Sequence, residues 1–593
     1  MSHTFHIPVL GLGYSIDTPL KIARYGISST LSIVDDELIE RMRQYHTRLA
    51  GETFTPILKK EDDARARRIT AYLNLVDRLI NRQFEELKAL PFETGNDLCR
   101  YFELLPEYSR LRQGYDLMLE LQDNWQKKHL QGLLKQEMKP GAIDVNIMSK
   151  VDKMNYAANG DSSGDLNTDA LAALRGFAIS NLQSSVILSA GMNPRLYSYL
   201  ETFADFYPDE NGLLHKKVIL KVSDFRSAFI QARFLAKKGI WISEFRVESG
   251  LNCGGHAFAT EGYLLGPILE EFRQKRQEMA EELFKSYQNA LLEKGITCAE
   301  APIQRLSVQG GIGTALENDF LLDHYELDAT GWGSPFLLVP EVTNVDKETL
   351  EQLEQAEEED YYLSGASPLG ILFNNFGKST SEILRQKRLD NNRPGSPCTK
   401  KYLCTNTEFT EKPICTASRK YQQLKIAQLR TQDLPKPEYE QQYQSVVEKI
   451  CLCEGLCASA YIKYDMLKPR ENNAVAICPG PNLAYFSRTY TLEEMIRHIY
   501  GTVDLLDKVR RPHMFIKELN LYIDYLQRDL QSQLKELSDK KKKQLTKFKL
   551  QLQDGIDYYK TLFTESASQT NLFFLDWIRE LTHSEAKLSG IAI

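Results

Sequence analysis

Arg305-Leu306-Ser307-Val308-Gln309-Gly310-Gly311-Ile312-Gly313 is the stretch that decides the fold: a run of strand length that ends in three glycines out of four. Downstream, Gly331-Trp332-Gly333-Ser334 repeats the arrangement. Each glycine group sits where a strand would end and a helix or turn would begin. Backbone amides exposed there, with no side chain in the way, are a common means of holding a phosphate. Two such ends side by side predict the phosphate cup of a (β/α)8 barrel, built from the loops after its seventh and eighth strands, and with it a phosphorylated cofactor.

The same pattern extends in both directions. Ile7 to Leu12 reads as a first strand ending in Gly11-Leu12-Gly13, Asp17 or Thr18 as the cap of a helix with Pro19 in its first turn, and Gly26 as that helix's stop. Ser28 to Val34 reads as the second strand. Further strand signals fall at Ile143 to Met148, Ser185 to Ala190, Lys217 to Val222, Ile240 to Val247, Gln304 to Val308 and Asp328 to Gly331, which makes eight with the first two. The predicted class is therefore α/β, a (β/α)8 TIM barrel over residues 1–35 and 140–345. Residues 36–139 show helical periodicity and no strand, as in Ala71 to Ile80 and Leu111 to Leu121, and read as a helical insertion after strand two. The helix Leu264 to Lys294 is a lengthened outer helix.

Past the acidic run Glu351 to Asp360, residues 346–593 read as a mostly helical C-terminal lobe. Its apolar stripes, Met495, Ile499, Val503 and Leu506, then Leu519, Ile523, Leu526 and Leu530, suit a core or a subunit contact, so a homodimer through these helices is one expectation. Gly370 to Gly377-Lys378-Ser379 has the look of a nucleotide-binding loop, but six residues separate its glycines where that motif requires four.

Composition narrows the function classes. The chain has 593 residues, 42% hydrophobic and 26% charged, enough for a barrel and further structure. A net charge of −7 supplies no general field for nucleic acid or anionic lipid, and Lys540 to Lys543 reads as a solvated helix face. No segment carries the roughly twenty apolar residues that a membrane span needs, and Met1 to Gly13 lacks the pattern of a secretory leader. A cytoplasmic protein acting on a small molecule is expected. Of the ten cysteines, seven lie between Cys398 and Cys478. Cys398, Cys415, Cys451, Cys453, Cys457 and Cys478 are candidate ligands for zinc or an iron-sulfur cluster, although their spacing matches neither paired Cys-x2-Cys units nor the ferredoxin run; ordinary buried thiols are the other reading.

Active sites of this fold sit at the carboxyl ends of the strands. Strand six ends in Val247-Glu248-Ser249-Gly250-Leu251-Asn252-Cys253-Gly254-Gly255-His256. An imidazole directly after two glycines stands where backbone can approach a flat ligand, and a histidine there suits a general base near neutral pH. Lys221, at the end of strand five, can place a cation beside a ring that gathers negative charge on reduction.

Taken together, the arrangement resembles the nitronate monooxygenase family of FMN-dependent barrels, also called 2-nitropropane dioxygenase-like, over residues 5–341 less the insertion. The likeness is carried by Ile7-Pro8-Val9-Leu10-Gly11-Leu12 with Thr18-Pro19-Leu20 and Ala23, by Val145-Asn146, by Gly254-Gly255-His256, by Gly310-Gly311-Ile312, and by Gly333-Ser334 with Phe336. It implies an oxidoreductase in which FMN is bound by Gly11, Leu12, Asn146, Lys221, Gly254 and Gly255, its phosphate by Gly310, Gly311, Gly313 and Gly331 to Ser334, with His256 as the base acting on a small activated carbon acid. Trp332 reads as a packed wall. Asn252 and Cys253 stand where the family commonly has an acidic residue and an alanine. The insertion and the lobe are also departures, and they put the substrate in doubt more than the fold. Enoyl reductases on the same barrel, and a barrel kept as a scaffold for a protein partner, remain open alternatives.

Overall fold

A computed structural model describes residues 2–149, 151–155, 164–254, 261–506, 509–532, 537–567 and 573–593. Eight parallel strands close into a barrel in sequence order: β1 (Phe5–Ile7), β2 (Ser28–Ser32), β3 (Ile143–Asn146), β4 (Ser185–Leu188), β5 (Lys217–Val222), β6 (Ile242–Glu248), β7 (Arg305–Gln309) and β8 (Ala329–Gly331), the last pairing with β1. The predicted barrel is present with small shifts of boundary. The largest is at the first strand, which occupies Phe5–Ile7 rather than Ile7 to Leu12, because Pro8 has no N–H to continue the ladder. Gly26 does end the first helical segment, in the left-handed region at φ 77°. Asp17 does not cap that helix; its carboxylate is buried and pairs with Lys21 at 3.2 Å, His46 at 3.2 Å and Asn344 at 2.6 Å.

Side chains alternate along a strand, so every second residue faces the barrel interior. Here that face is polar. Arg246 on β6 donates to Asp144 on β3 at 3.1 Å, a bond between strands that are not neighbours and that therefore crosses the interior. It also donates to Glu244 at 2.8 Å, and Ser307 on β7 donates to the same carboxylate at 2.5 Å. Burial alone would push Glu244 up, but Arg246 and Arg305 outweigh it and hold the carboxyl below the usual range. Above this charged layer, toward the carboxyl ends, lie Ser32, Asn146, Glu248 and Gln309, two residues further along β2, β3, β6 and β7 than Thr30, Asp144, Arg246 and Ser307.

Residues 36–139 are helical as expected, in Asp36–Leu49, Ala64–Ala89, Asp97–Glu103, Arg110–Glu120 and Asn124–Glu137. The C-terminal region adds an antiparallel pair, β9 (Tyr361–Ser364) and β10 (Phe373–Phe376), and helices that cover the carboxyl-end mouth. One apolar core runs from the barrel through Cys457, Ile477, Met495, Ile499, Leu519, Ile523, Leu526 and Tyr559. Most of the helical stripe is thus consumed inside this chain. Backbone bonds stitch the mouth to its cover: Gly13 N–H donates to Leu456 O at 2.9 Å, and Gly254 N–H to Cys478 O at 3.0 Å. No helix among the described residues is long and apolar enough to cross a membrane.

Candidate active site at the barrel mouth

The carboxyl ends of β1 to β6 form the floor of a cavity whose atom-free space is about 1030 Å³, part of it open to solvent. Gly11 and Leu12, Ser32, Asn146, Ser189, Lys221, Glu248 and Gly254 line it from the barrel. The opposite wall belongs to the C-terminal region and is mainly apolar: Leu369, Ile371 and Phe373, then Tyr402 and Leu403, then Leu452, Cys453 and Leu456. An apolar vault over a few convergent polar groups is the usual make-up of a small-molecule site.

Three donors meet on one oxygen of Glu248: Lys221 Nζ at 3.1 Å, Asn252 Nδ2 at 2.8 Å and Gln309 Nε2 at 2.8 Å. They come from β5, the loop after β6 and β7, so the carboxylate is fixed in place and in turn fixes the Lys221 ammonium at the cavity edge. Ser32 and Asn146 are register partners on β2 and β3. The Ser32 hydroxyl, on a residue 2% exposed, has no hydrogen-bond partner among the described residues. A buried hydroxyl left so is costly unless something else satisfies it. Neither Ser32 nor Glu248 was singled out from the sequence: a serine in a strand carries no signal, and Glu248 precedes the glycine run that drew attention.

Tyr402 is anchored from behind. Its hydroxyl reaches Asp35 at 3.1 Å and Asp36 at 3.0 Å, just past β2, and burial together with those carboxylates pushes it well above the usual phenol range. Lys400 forms an ion pair with Asp35, and Cys457 Sγ donates to the same carboxylate at 3.1 Å.

The glycine cup is a different kind of place. A Cβ on Gly310 would meet Asn252 backbone at 3.0 Å, on Gly311 the Leu251 side chain at 2.6 Å, and on Gly313 the Arg511 guanidinium at 2.7 Å. Gly333 packs on Cys253, Pro8 and Leu10, and Gly331 on Gln309 and His6. Gly480 lies over the Ser334 hydroxyl, where its own Cβ would stand 2.8 Å away. Arg511 donates to Gly311 O at 2.5 Å, to Asn482 at 2.7 Å and to Glu317 at 2.6 Å, while Glu317 accepts the Gly313 N–H at 2.9 Å. Trp332 is fully buried, donates to Asn318 at 3.2 Å and meets His498 edge-on, behind the cup rather than in the cavity. Between cup and cavity, Gly254 presses on the backbone of Val9 and Leu10; a Cβ there would be 2.2 Å from Val9 O.

The structure therefore brings Gly11, Leu12, Asn146, Lys221 and Gly254 to one cavity and sets Gly310, Gly311, Gly313, Gly331, Trp332, Gly333 and Ser334 apart from it, under the loop after β6 and the segment around Gly480. Gly255 and His256 lie outside the described residues. The FMN implied by the resemblance fits this arrangement at its ring end, where Asn146, Lys221 and the Ser32 hydroxyl offer polar partners beneath an apolar wall. At the phosphate end, Glu317 takes the Gly313 N–H, and the chain packs against the glycines where a side chain would stand.

The cysteine expectation also changes. Among the described residues, no group of three or more His, Cys, Asp or Glu side chains could hold a metal ion. Cys451, Cys453 and Cys457 are spread along and before one helix (Leu452–Lys463): Cys457 turns to Asp35, Cys453 to the cavity wall, and Cys451 lies 4.0 Å from Glu454. Cys478 lines the cavity instead of joining them. Zinc and iron-sulfur ligation find no support.

No family model and no curated protein matches this chain. Among solved structures it is similar to the enoyl reductase domain of MlnA from the macrolactin biosynthesis cluster of Bacillus amyloliquefaciens, at 14% identity over 69% of this chain and 88% of that one, with a TM-score of 0.32. It is also similar to FabK from Thermotoga maritima, at 12% identity over 67% of this chain and 83% of that one, with a TM-score of 0.29. At such scores the likeness carries no weight for function.

Proposed function

We propose that this chain is a flavin-dependent oxidoreductase that holds the isoalloxazine of FMN in the barrel-mouth cavity. One observation carries the reading: Gly11, Leu12, Asn146, Lys221 and Gly254, far apart in sequence, line a single cavity together with the unpartnered Ser32 hydroxyl. Bound flavin would supply two-electron redox chemistry that side chains lack. The chain's own part is to position and to stabilise charge. Lys221, steadied by Glu248, sets a cation at the cavity floor where a reduced ring gathers negative charge. Ser32 and Asn146 offer hydrogen bonds to a polar ring edge, and the glycine backbone at Gly11 and Gly254 permits close approach of a flat ligand.

The wall made by Leu369, Ile371, Phe373, Leu403, Leu452 and Leu456 favours an apolar, unsaturated acyl substrate over a small nitro acid, because apolar surface gains most from an apolar partner. Flavin-reconstituted protein is expected to oxidise NAD(P)H faster when a short 2-enoyl thioester is present, and to leave alkyl nitronates untouched. Nitronate consumption without thioester reduction would reverse the substrate assignment. Protein that takes up no flavin under any condition would favour a barrel kept as a scaffold.

A further inference from the structure

All of the described cysteines are free thiols, and six of them, Cys398, Cys404, Cys415, Cys451, Cys453 and Cys478, belong to one small apolar cluster with Leu403, Ala417 and Ile450 at the cavity wall. Within it, Cys398 Sγ stands 3.9 Å from Cys404 Sγ. The chain reverses between them, with positive φ at Cys398 (57°) and Lys401 (62°), a conformation uncommon for residues with side chains. Cys398 is partly exposed, whereas Cys404 is 8% exposed, so a dissolved oxidant reaches Cys398 first. A disulfide needs a sulfur separation of about 2.05 Å, so the pair must close by roughly 1.9 Å, within reach of side-chain rotation. The segment is also the one that builds the cavity wall: Tyr402 and Leu403 line the cavity, and Lys400 and Tyr402 tie it to Asp35 and Asp36.

We propose that Cys398 and Cys404 are a reversible thiol-disulfide pair, oxidised by hydrogen peroxide, whose closure stiffens the Cys398–Cys404 wall of the cavity. The Cys398 thiolate attacks one peroxide oxygen; the O–O bond breaks, leaving a sulfenic acid, and the departing hydroxide takes a proton to become water. The Cys404 thiol, giving up its proton, then attacks the sulfenic sulfur; the S–O bond breaks, and the departing hydroxide takes that proton to leave as a second water. Two thiols are oxidised and one peroxide is reduced to two waters. Cys404 acts to hold the Cys398 thiol down, yet the neighbouring Cys415 and burial outweigh it and push it up to about 11. Little thiolate is present near neutral pH, so the reaction requires excess peroxide. The pair is independent of whether the cavity takes a flavin.

Trypsin cuts after Lys400 and Lys401 and so separates Cys398 from Cys404 in the reduced chain, whereas a disulfide keeps peptides 389–400 and 402–419 joined. After peroxide treatment of the folded full-length protein, the joined pair is expected, to be split by dithiothreitol, retained in Cys415→Ser and absent in Cys404→Ser. If Cys404→Ser does not fold, cleavage after Glu408 assigns the bond in the unaltered protein, because it separates Cys404 from Cys415. Amide exchange at residues 402–404 is expected to slow by about tenfold on oxidation, as local opening is suppressed. A joined pair that survives Cys404→Ser, or no joined pair while Cys398 is over-oxidised, overturns the assignment; unchanged exchange overturns the stiffening.

Discussion

The barrel mouth has two halves that look alike in sequence and differ in three dimensions. On the β1 to β6 side, glycines and polar strand ends border a cavity, and the buried Ser32 hydroxyl has no partner among the described residues. On the β7 and β8 side, glycines equally suited to a ligand are packed against Leu251, Asn252, Cys253 and Arg511. A glycine at a strand end records only that something comes close to the backbone. Whether that is a ligand or the chain itself depends on segments far away, here those around Gly480 and Arg511.

The comparison can be broken most forcefully at Arg511. Its guanidinium is 4% exposed and pairs with Glu317, 2% exposed, at 2.6 Å. Arg511→Met leaves that carboxylate buried and unpaired and is expected to cost about 3–5 kcal/mol in urea unfolding; a loss under about 1 kcal/mol would mean that the cup is not a structural joint.

Gly311→Ala is expected to cost about 3 kcal/mol by the same measure, from φ of +84° and the 2.6 Å clash with Leu251. A cup that serves only a ligand would lose affinity and keep its stability.

The pH dependence follows from the same pair. Burial would raise Glu317, but Arg511 and His513 outweigh it and hold the carboxyl below the usual range. Its contribution to stability is therefore fully present above the unfolded value of about 4.3 and is lost as pH falls through the folded value. Glu317→Gln is expected to flatten the fall of stability below about pH 4; an acid-unfolding curve of unchanged slope would contradict this.

On the cavity side the effects fall on binding. Lys221→Met is expected to weaken flavin about tenfold in a fluorescence titration, equivalent to about 1.4 kcal/mol. Smallest of all, Ser32→Ala is expected to weaken flavin about threefold while stability changes by under about 1 kcal/mol, since the hydroxyl has no partner to lose among the described residues.

The barrel was legible because its strands are short runs bounded by turn residues, and each of the eight expected runs overlaps an observed strand, the first by Ile7 alone. Lys221 was legible as a strand end with suitable chemistry, whereas Asn146 and Gly254 came from the family resemblance. The cavity wall was not legible, because Tyr402 meets Asp35 and Leu456 meets Gly13 only through contacts spanning hundreds of residues, which no local pattern encodes. The packing around the cup was hidden for the same reason: its glycines are where the chemistry of a phosphate site would put them, and the Arg511 and Gly480 that pack against it come from more than a hundred residues downstream. The apolar stripes of Leu519, Ile523 and Leu526 were legible as a core or a subunit contact, and the structure buries them in the same core as the barrel.

The most direct test of the account is a pair of titrations of the purified full-length protein, one with FMN and one with riboflavin, followed by flavin fluorescence. A site in which the ring carries binding while the glycine cup stays closed predicts that both ligands bind, with dissociation constants within about threefold of each other, under about 0.7 kcal/mol apart. FMN bound about a hundredfold more tightly than riboflavin would show that the cup opens to a phosphate, and binding of neither would remove the flavin from this cavity.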